Sequence, residues 1–403
     1  MGGRLAVGIS VTWVALAFLG DGLSALVLPS VVASAPDAAT SLGLITFVGL
    51  GLAVAAQPLA GRLSDRLRGW ADRRWYMAAA AIPTLIGLAI LARSEGVIWL
   101  AALGYFGAVL AASGIQAALQ TLIPEHVPSG RRGRAASLKT AFDIGGAFVA
   151  FLVLGWALET AGIVGAAAIT ALVLVLALAV VFVWVPSVAA RAPVSHRAEL
   201  PAEVGDGRSI PGGFWSLVLS RFLFLLGIFI VGRFLLFLVA ERLGIPAGSA
   251  AGETGGLLAM FTLVTAIAAI VVGPLVDRGD RRRLMAVGAV AAGVGVALYL
   301  APAGLPGVVA AGTLMSIGTG IFVTANWASL TDLAPAEDAG RLMGLANIGA
   351  GGAAACAGLL GPAIDAWGFA PALVLAIASA LVAVVPLART TRRRVPRLEE
   401  STT

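Results

Sequence analysis

The amino-acid sequence predicts an all-α membrane protein with twelve transmembrane helices arranged as two six-helix repeats. Three observations predict this fold class: an apolar composition, long apolar runs divided by short polar segments, and arginine-rich motifs that recur in the second half of the chain. Hydrophobic residues make up 59% of the 403 residues and charged residues only 12%, whereas soluble domains carry about 25% charged residues. Most of the chain is therefore expected to lie in lipid.

The apolar runs give the positions of the helices. A bilayer core about 30 Å thick is crossed by about 20 helical residues, and backbone groups in lipid must be paired within the helix. The runs predict helices at residues 5–31, 39–63, 75–93, 97–123, 135–158, 161–186, 213–240, 251–276, 284–302, 305–330, 340–363 and 369–388. The first run is longer than the ~7–15-residue core of a signal peptide, so we expect it to be retained as the first helix.

The predicted helices fall into two halves. Residues 1–186 form an N-terminal six-helix half and residues 213–388 a C-terminal six-helix half. The segment 187–212 between them is polar and rich in Pro, Gly and charge, which is typical of a linker. We expect this linker and the tail of residues 389–403 to lie in the cytoplasm.

Basic residues lie on one side of this topology. The even-numbered connections and the two tails hold 23 of the 27 Lys and Arg residues, whereas the odd-numbered connections hold only Arg93 and Arg242. Positively charged loops stay in the cytoplasm, so both termini are expected there. Lys139 is the single lysine among these residues, a bias that indicates GC-rich DNA, and we expect a multi-pass protein of the plasma (inner) membrane of a bacterium.

Several function classes are disfavoured by residue usage. The net charge of +6 is accounted for by loop arginines, which disfavours nucleic acid as a partner. The single cysteine (Cys356) and the two distant histidines (His126 and His196) predict neither a disulfide nor a metal centre. No phosphate-binding G-x-x-x-x-G-K-[ST] motif and no plausible catalytic arrangement is present. We therefore expect no enzyme activity and no cofactor.

The two halves repeat each other in sequence. The string GRLSDR at 61–66 is matched by GPLVDR at 273–278, which places Asp65 and Asp277 212 residues apart. The pairs Gly133-Arg134 and Gly340-Arg341 are 207 residues apart. Two matches at similar offsets indicate duplication of a six-helix unit.

These motifs carry a resemblance to a known family. Gly61-x-Leu63-Ser64-Asp65-Arg66 followed by Arg73-Arg74 resembles the G-x-L-x-D-R-x-G-R-R signature between helices 2 and 3 of the major facilitator superfamily, with a longer gap before the final pair. The second half repeats the signature. The resemblance implies alternating-access transport and a latch that steadies the outward-facing state, formed by Gly61, Asp65, Arg66, Arg73, Arg74, Gly273, Asp277, Arg278, Arg281 and Arg282. The alternative is that these arginines only set the topology.

A finer resemblance concerns the substrate. The strings at 114–135 and 324–335 resemble the glycoside–pentoside–hexuronide and sucrose-transporter-like branch, which implies a sugar or glycoside moved with a cation. Helix 2 holds no acid, which argues against sodium coupling, and helix 5 lacks the Gly-Pro pattern of drug–proton antiporters. We therefore expect a monomeric, proton-coupled secondary transporter of a small organic solute. The alternatives are drug or metabolite efflux by proton antiport, and a non-transporting receptor or a lipid- or pigment-handling protein.

Ionisable residues inside predicted helices are costly and are candidates for function, and four of them stand out. Asp21 in helix 1 and Arg233 in helix 7 are 212 residues apart, the repeat offset. They are predicted to lie at similar depth as an inter-half ion pair, which acts either as a switch or as a static neutral pair. Asp143 in helix 5 is either a proton or substrate site or the partner of Lys139. Arg221 in helix 7 either reaches the cytoplasmic interface, binds an anionic substrate or pairs with Asp143.

Polar residues also occupy predicted helices 4 and 10, which are equivalent in the repeat. Gln116 and Gln120 lie on the first, and Asn326 and Trp327 on the second. Amides beside an aromatic ring suit a polyhydroxylated ligand through hydrogen bonds and stacking. The alternative interpretation is ordinary hydrogen bonding between helices.

Overall fold

The structure is a computed structural model that describes residues 3–67, 72–126, 132–185, 210–301, 304–333 and 339–389. Most of the predicted linker and the tail beyond residue 389 lie outside these ranges. The described chain is almost entirely helical. The helices of the N-terminal half are α1 (residues 3–32), α2 (Ala38–Leu67), α3 (Arg73–Leu91), α4 (Ile98–His126), α5 (132–161) and α6 (163–184).

The C-terminal half repeats this order. Its helices are α7 (Phe214–Leu243), α8 (Ala251–Arg278), α9 (Arg281–Leu298), α10 (Gly304–Leu333), α11 (339–367) and α12 (Phe369–Val382). A short 3₁₀ turn, Val385–Arg389, follows α12. The twelve helices confirm the predicted fold class, and their bounds lie within a few residues of the predicted ones.

Helices α5 and α6 follow each other directly within Arg132–Trp184, which is 53 residues long. At 1.5 Å per residue a single helix of that length would measure about 80 Å, far more than one bilayer crossing needs. The stretch breaks at Gly162, whose φ of 63° and ψ of −161° are not helical. Glycine adopts this conformation without the steric cost that a side chain brings, so the chain reverses there and crosses twice.

The number of membrane crossings follows from the helix lengths. Ten stretches of the described chain are long and apolar enough to span a membrane. One of them, Ser137–Trp184, contains both α5 and α6. Helix α9 begins with three arginines, which lower its apolar character, yet its remaining residues from Leu284 to Leu298 are apolar. The total is therefore twelve crossings.

Two helices depart from regular α geometry. Helix α1 contains a π-helical segment, Phe18–Val27, between Gly3–Ala17 and Leu28–Val32. Helix α11 changes to a 3₁₀ turn at Gly358–Leu360, between Ala339–Ala357 and Gly361–Trp367. Mid-helix departures of this kind often mark functional positions. Both lie where the two halves meet.

The bundle has two ends, which differ in how the halves approach each other. We call the end where α1 finishes and α2 begins the distal end, and the end where α1 and α7 begin the proximal end. Buried apolar residues form one cluster that runs from the N-terminal half into α7 and α8, and a second cluster within the C-terminal half. Apolar side chains such as Ile86, Val183 and Ile270 are exposed on the bundle, which suits contact with lipid.

Candidate functional site

Asp21 lies in the π-helical segment of α1. Its neighbours Leu19, Gly22 and Leu23 are buried, whereas Asp21 itself is exposed. The charges that act on its carboxylate are Asp143 on α5 and Arg233 on α7. The carboxylate therefore lies near charged residues of α5 and of α7, one in each half.

Arg233 is held by a backbone carbonyl of α1. Its side chain is buried, and its Nη1 donates to the carbonyl oxygen of Ser24 at 3.1 Å. The π-helical hydrogen bonding explains why the Ser24 carbonyl is available. The amide of Leu28, which would bond to Ser24 in an α-helix, bonds instead to Leu23 five residues back. The residue five after Ser24 is Pro29, which has no N–H to donate. The arginine therefore supplies the hydrogen bond that the helix cannot.

The direct ion pair predicted between Asp21 and Arg233 is not formed in this conformation. Arg233 contacts Ser24 in the same π-helical segment as Asp21, so the repeat offset places the two residues at similar depth. Their charges interact without a bond between the side chains. The structure thus brings the pair together as neighbours on opposite halves.

A hydrogen bond between α1 and α4 completes this cluster. The hydroxyl groups of Ser24 and Tyr105 lie 2.8 Å apart, and Tyr105 is fully buried. Sequence reasoning missed both residues. The available signal was that Tyr105 is one of only three tyrosines in the chain and stands within an apolar run, where a buried phenol needs a hydrogen-bond partner.

Asp143 has a partner on its own helix. Lys139 Nζ lies 3.2 Å from Asp143 Oδ2, one turn apart on α5. The same ammonium lies 3.7 Å from the ring centroid of Trp13 on α1, a favourable cation–π geometry. One of the two interpretations of Asp143 is that it pairs with Lys139, and the structure contains the contact that this pairing requires.

A second polar group lies between α7 and α10. Arg221 is buried, and its guanidinium carbon lies 5.1 Å from the ring centroid of Trp327. Asn326 is fully buried, and its Nδ2 donates to the carbonyl of Leu217 at 3.1 Å. Arg221 forms no ion pair with Asp143 and does not reach an exposed surface. Arg221 and Arg233 are 12 residues apart, or about 18 Å along the helix axis, so these are separate sites.

The glutamines predicted on α4 have different surroundings. Gln116 Oε1 accepts a hydrogen bond from Gln57 Nε2 on α2 at 3.0 Å. Gln120 is exposed near the end of the described part of α4. The structure therefore brings Gln116 into helix–helix bonding and does not bring the glutamines to Asn326 and Trp327.

The paired arginines of the signature act within their own halves. Arg73 Nη1 donates to Ser64 Oγ at 2.8 Å, and Arg74 Nη1 donates to the Val185 carbonyl at 2.9 Å, where α6 has ended. In the second half Arg281 Nη1 donates to the Ala328 carbonyl at 3.0 Å. Arg282 Nη2 donates to the carbonyl of Leu387, beyond the end of α12.

Three residues of the second-half motif have open surroundings among the described residues. No described atom lies within 4 Å of the position that a Cβ on Gly273 would take, and Asp277 and Arg278 are exposed. In the first-half motif, the surroundings of Gly61 and the side chains of Asp65 and Arg66 lie outside what the structure describes. The latch therefore stays a prediction.

The halves meet at the distal end through small residues. A Cβ on Gly43 of α2 would overlap the carbonyl oxygen of Gly358 on α11. On the other side, a Cβ on Gly255 of α8 would lie 2.5 Å from the carbonyl oxygen of Phe151 on α5. Only glycine permits such close approach of two backbones.

Two acidic residues at the distal end contact the first turns of helices in the opposite half. Asp365 on α11 accepts hydrogen bonds from the amides of Ala39 and Thr40, at the start of α2. On the other side, the Glu159 carboxylate of α5 packs against Gly252 at the start of α8. Thr40 and Gly252 are 212 residues apart, and Glu159 and Asp365 are 206 apart. The two contacts are therefore equivalent in the repeat.

Solved structures with this architecture are transporters. The nucleoside transporter NupG matches with a TM-score of 0.75 and 12% identity, covering 96% of this chain and 100% of that chain. A peptide transporter named POT matches with a TM-score of 0.73 and 16% identity, over 95% of this chain and 93% of that one. A D-xylose–proton symporter matches with a TM-score of 0.70 and 17% identity, over 95% and 96%. At such identities the likeness establishes the fold alone.

The sequence itself identifies the family. No curated protein matches this sequence, but the pattern of the Major Facilitator Superfamily matches residues 12–252 and again residues 217–403. The two matches together cover residues 12–403 and overlap at residues 217–252. The chain therefore belongs to the major facilitator superfamily of membrane transporters.

Proposed function

We propose that this protein is a secondary active transporter that moves a small polar organic solute by alternating access and couples the movement to protons. The observation that carries the proposal is the asymmetry of the bundle. The two halves are in backbone contact at the distal end, whereas at the proximal end the described bonds of Arg74, Arg281 and Arg282 each stay within one half. An exposed carboxylate, Asp21, lies between the halves. Rocking of one half on the other would expose this carboxylate to each side in turn.

The orientation of this cycle follows from the arginines. The proximal end carries Arg73, Arg74, Arg281 and Arg282, whereas Arg93 and Arg242 lie at the distal end. The positive-inside rule places the proximal end and both termini in the cytoplasm. On this basis the structure is the inward-open state of a protein in a bacterial inner membrane, and residues 1–186 and 213–388 are the two moving halves joined by the linker at 187–212.

The proton is assigned to Asp21. A carboxylate exposed inside the membrane is costly unless it serves a pathway. Asp143 is the other candidate, but it already has a charged partner, because Lys139 Nζ lies 3.2 Å from its Oδ2. Arg233 stays bonded to Ser24 in this state and is free to pair with Asp21 in another state. Loss of the Asp21 proton and formation of that pair would couple proton release to the change of state.

The solute is proposed to be sugar-like. Among structural neighbours, one is a D-xylose–proton symporter, and the local strings at 114–135 and 324–335 resemble a sugar-transporting branch. The polar groups of Arg221, Asn326 and Trp327 offer hydrogen bonds and a stacking face. These features support a polar ligand better than a purely apolar one.

The proposal is tested with purified protein in proteoliposomes under an imposed pH gradient, with radiolabelled xylose, glucose, lactose and glucuronate. We expect at least one solute to accumulate only with an inward proton gradient, and a protonophore to abolish the accumulation. Asp21→Asn is expected to lose gradient-driven accumulation. Glu95→Gln, at an exposed carboxylate of the α3–α4 turn, serves as the matched control and should behave as wild type.

Two outcomes contradict the proposal. Transport that occurs only against the proton gradient would establish antiport and therefore efflux. Absence of any accumulation in either gradient direction would overturn transport of this solute class, and equal accumulation by wild type and Asp21→Asn would remove Asp21 from the coupling mechanism.

A further inference from the structure

Arg221 is a buried cation that the described protein leaves without a partner. Its side chain is only 9% exposed, and its Nε and Nη1 atoms are buried with no hydrogen bond. Its single contact of note is with the face of Trp327. A buried charge without compensation is strongly unfavourable, so its presence calls for an explanation.

The other arginines near the core of the described protein differ from Arg221 in this respect. Arg74 and Arg282 donate to carbonyls at helix ends, and Arg281 donates to carbonyls and to a carboxylate. Arg233 has the carbonyl of Ser24. Unmet hydrogen-bonding capacity on this scale is therefore a property of Arg221 and not of buried arginines in this bundle generally.

Two consecutive residues of α10 supply an unfilled acceptor and an aromatic ring. Asn326 is fixed by its bond to the carbonyl of Leu217, one turn before Arg221, and its Oδ1 is buried with no hydrogen bond. The guanidinium carbon of Arg221 lies 5.1 Å from the ring centroid of Trp327. The contact between α7 and α10 therefore holds guanidinium donors, one amide acceptor and a ring within about one turn of each helix.

The charges inside the bundle do not balance. The carboxylates of Asp21 and Asp143 lie near Arg233 and Lys139, respectively. Arg221 is the remaining cation, with no carboxylate bonded to it among the described residues. Of the three roles that the sequence allows for Arg221, the ion pair with Asp143 is not formed in this structure, and the side chain is only 9% exposed.

We propose that Arg221 is an anion-binding residue and that the transported solute carries a carboxylate or a phosphate. The planar fork of a guanidinium binds either group through two parallel hydrogen bonds. Asn326 Oδ1 accepts a hydroxyl or amide donor of the same solute, and Trp327 holds the guanidinium in place. This inference rests on the proposed transport function, because it names the chemical class of the transported solute.

The first test needs no ligand. Replacing Arg221 with Met removes the uncompensated charge and keeps an unbranched apolar chain in place of the arginine stem. We expect Arg221→Met to raise the melting temperature of the purified, ligand-free protein by about 2 °C or more, since apolar replacement of a buried charge is often stabilising. Arg233→Met, which loses a hydrogen bond, should lower it. A fall in melting temperature for Arg221→Met would overturn the proposal by giving Arg221 a structural role.

The second test compares charged and neutral probes of the same shape. Binding of glucuronate, glucose 6-phosphate and glucose to detergent-solubilised protein is measured by isothermal titration calorimetry. We expect one of the anions to bind and glucose to bind at least tenfold more weakly. Arg221→Met should weaken anion binding about ten- to a hundredfold, and Arg221→Lys less. Arg93→Met, at an exposed arginine of the distal end outside the predicted latch, is the matched control.

The outcomes separate this inference from the proposed function. Accumulation of glucose in proteoliposomes with no effect of Arg221→Met would leave transport intact and overturn the anion site. Failure of both anions to bind, or binding that is unchanged in Arg221→Met, would also overturn the anion site. Anion binding that depends on Arg221 without any accumulation would support the anion site and overturn proton-driven transport.

Discussion

Thr40 and Asp365 join the two halves of the bundle by a hydrogen bond of 2.7 Å from the backbone amide of Thr40 to Oδ2 of Asp365. Asp365 Oδ1 also accepts from the amide of Ala39 at 3.2 Å. The first amides of a helix have no partner within the helix, and its N-terminus attracts negative charge. One side chain of α11 therefore satisfies the start of α2 across the interface between the halves.

Asp365→Asn should loosen this closure. The amide side chain retains the shape but loses the charge, which is worth about 1 kcal/mol at a helix N-terminus, or roughly a fivefold change in the open-to-closed ratio. The measurement is the distance between spin labels at Glu95→Cys and Ser249→Cys in the distal turns of the two halves, in a Cys356→Ser background. The fraction of long distances should rise. The control is Glu241→Gln, at an exposed distal carboxylate without a described partner. An unchanged distance distribution for Asp365→Asn would contradict the prediction.

Gly43→Ala should prevent the distal end from closing. The new Cβ would overlap the backbone oxygen of Gly358, which cannot move aside as a flexible side chain can. The matched control is Gly51→Ala on the same helix, where nothing lies within 4 Å of the Cβ position. We expect the same spin-label pair to report a mainly open distal end and solute uptake to fall at least tenfold for Gly43→Ala only. Equal behaviour of the two variants would show that this close approach does not govern closure.

The equivalent arginines Arg74 and Arg282 should contribute similarly to stability. Each donates to a backbone carbonyl just beyond the end of a helix, α6 or α12, and so binds that end of the chain segment to α3 or α9. Cations at helix C-termini and hydrogen bonds to charged groups are stabilising. We expect Arg74→Gln and Arg282→Gln each to cost about 1–2 kcal/mol, seen as lower melting temperatures. Arg278→Gln, at an exposed position, should change stability by less than about 0.5 kcal/mol.

Tyr105→Phe should destabilise the contact between α1 and α4. The substitution removes the hydroxyl that lies 2.8 Å from Ser24 Oγ and leaves a buried hydroxyl unpaired, at a cost of about 1 kcal/mol. Adding Ser24→Ala to Tyr105→Phe should restore part of the lost stability, because no buried hydroxyl is then left without its partner. The measurement is a double-mutant cycle of melting temperatures. Fully additive losses would show that the two hydroxyls do not stabilise each other.

The fold could be predicted from sequence because each membrane crossing leaves a local signal. A helix in lipid must be long and apolar, so α2 appears as the run 39–63 and occupies Ala38–Leu67 in the structure. The turn between α5 and α6 was also readable, since a polar pair, Glu159-Thr160, precedes Gly162. These signals depend only on neighbouring residues.

The site was less predictable because it depends on geometry between distant residues. The repeat offset predicted an ion pair of Asp21 with Arg233, yet it gave no sign of the π-helical segment whose Ser24 carbonyl accepts a hydrogen bond from Arg233. Asp365 lay beyond the predicted end of its helix and was not considered. Its partner is a backbone amide 325 residues away, and no side-chain pattern encodes such a contact.

The paired acid-to-helix contacts at the distal end have an evolutionary consequence. A two-fold interface repeats every contact, because residue i of one subunit meets residue j of the other and the reverse. An ancestral six-helix subunit with one acid at the end of its fifth helix would have made both contacts at once as a symmetric homodimer. After gene duplication and fusion, the two copies were free to diverge. Asp365 retained hydrogen bonds to two amides, whereas Glu159 retained packing against a glycine.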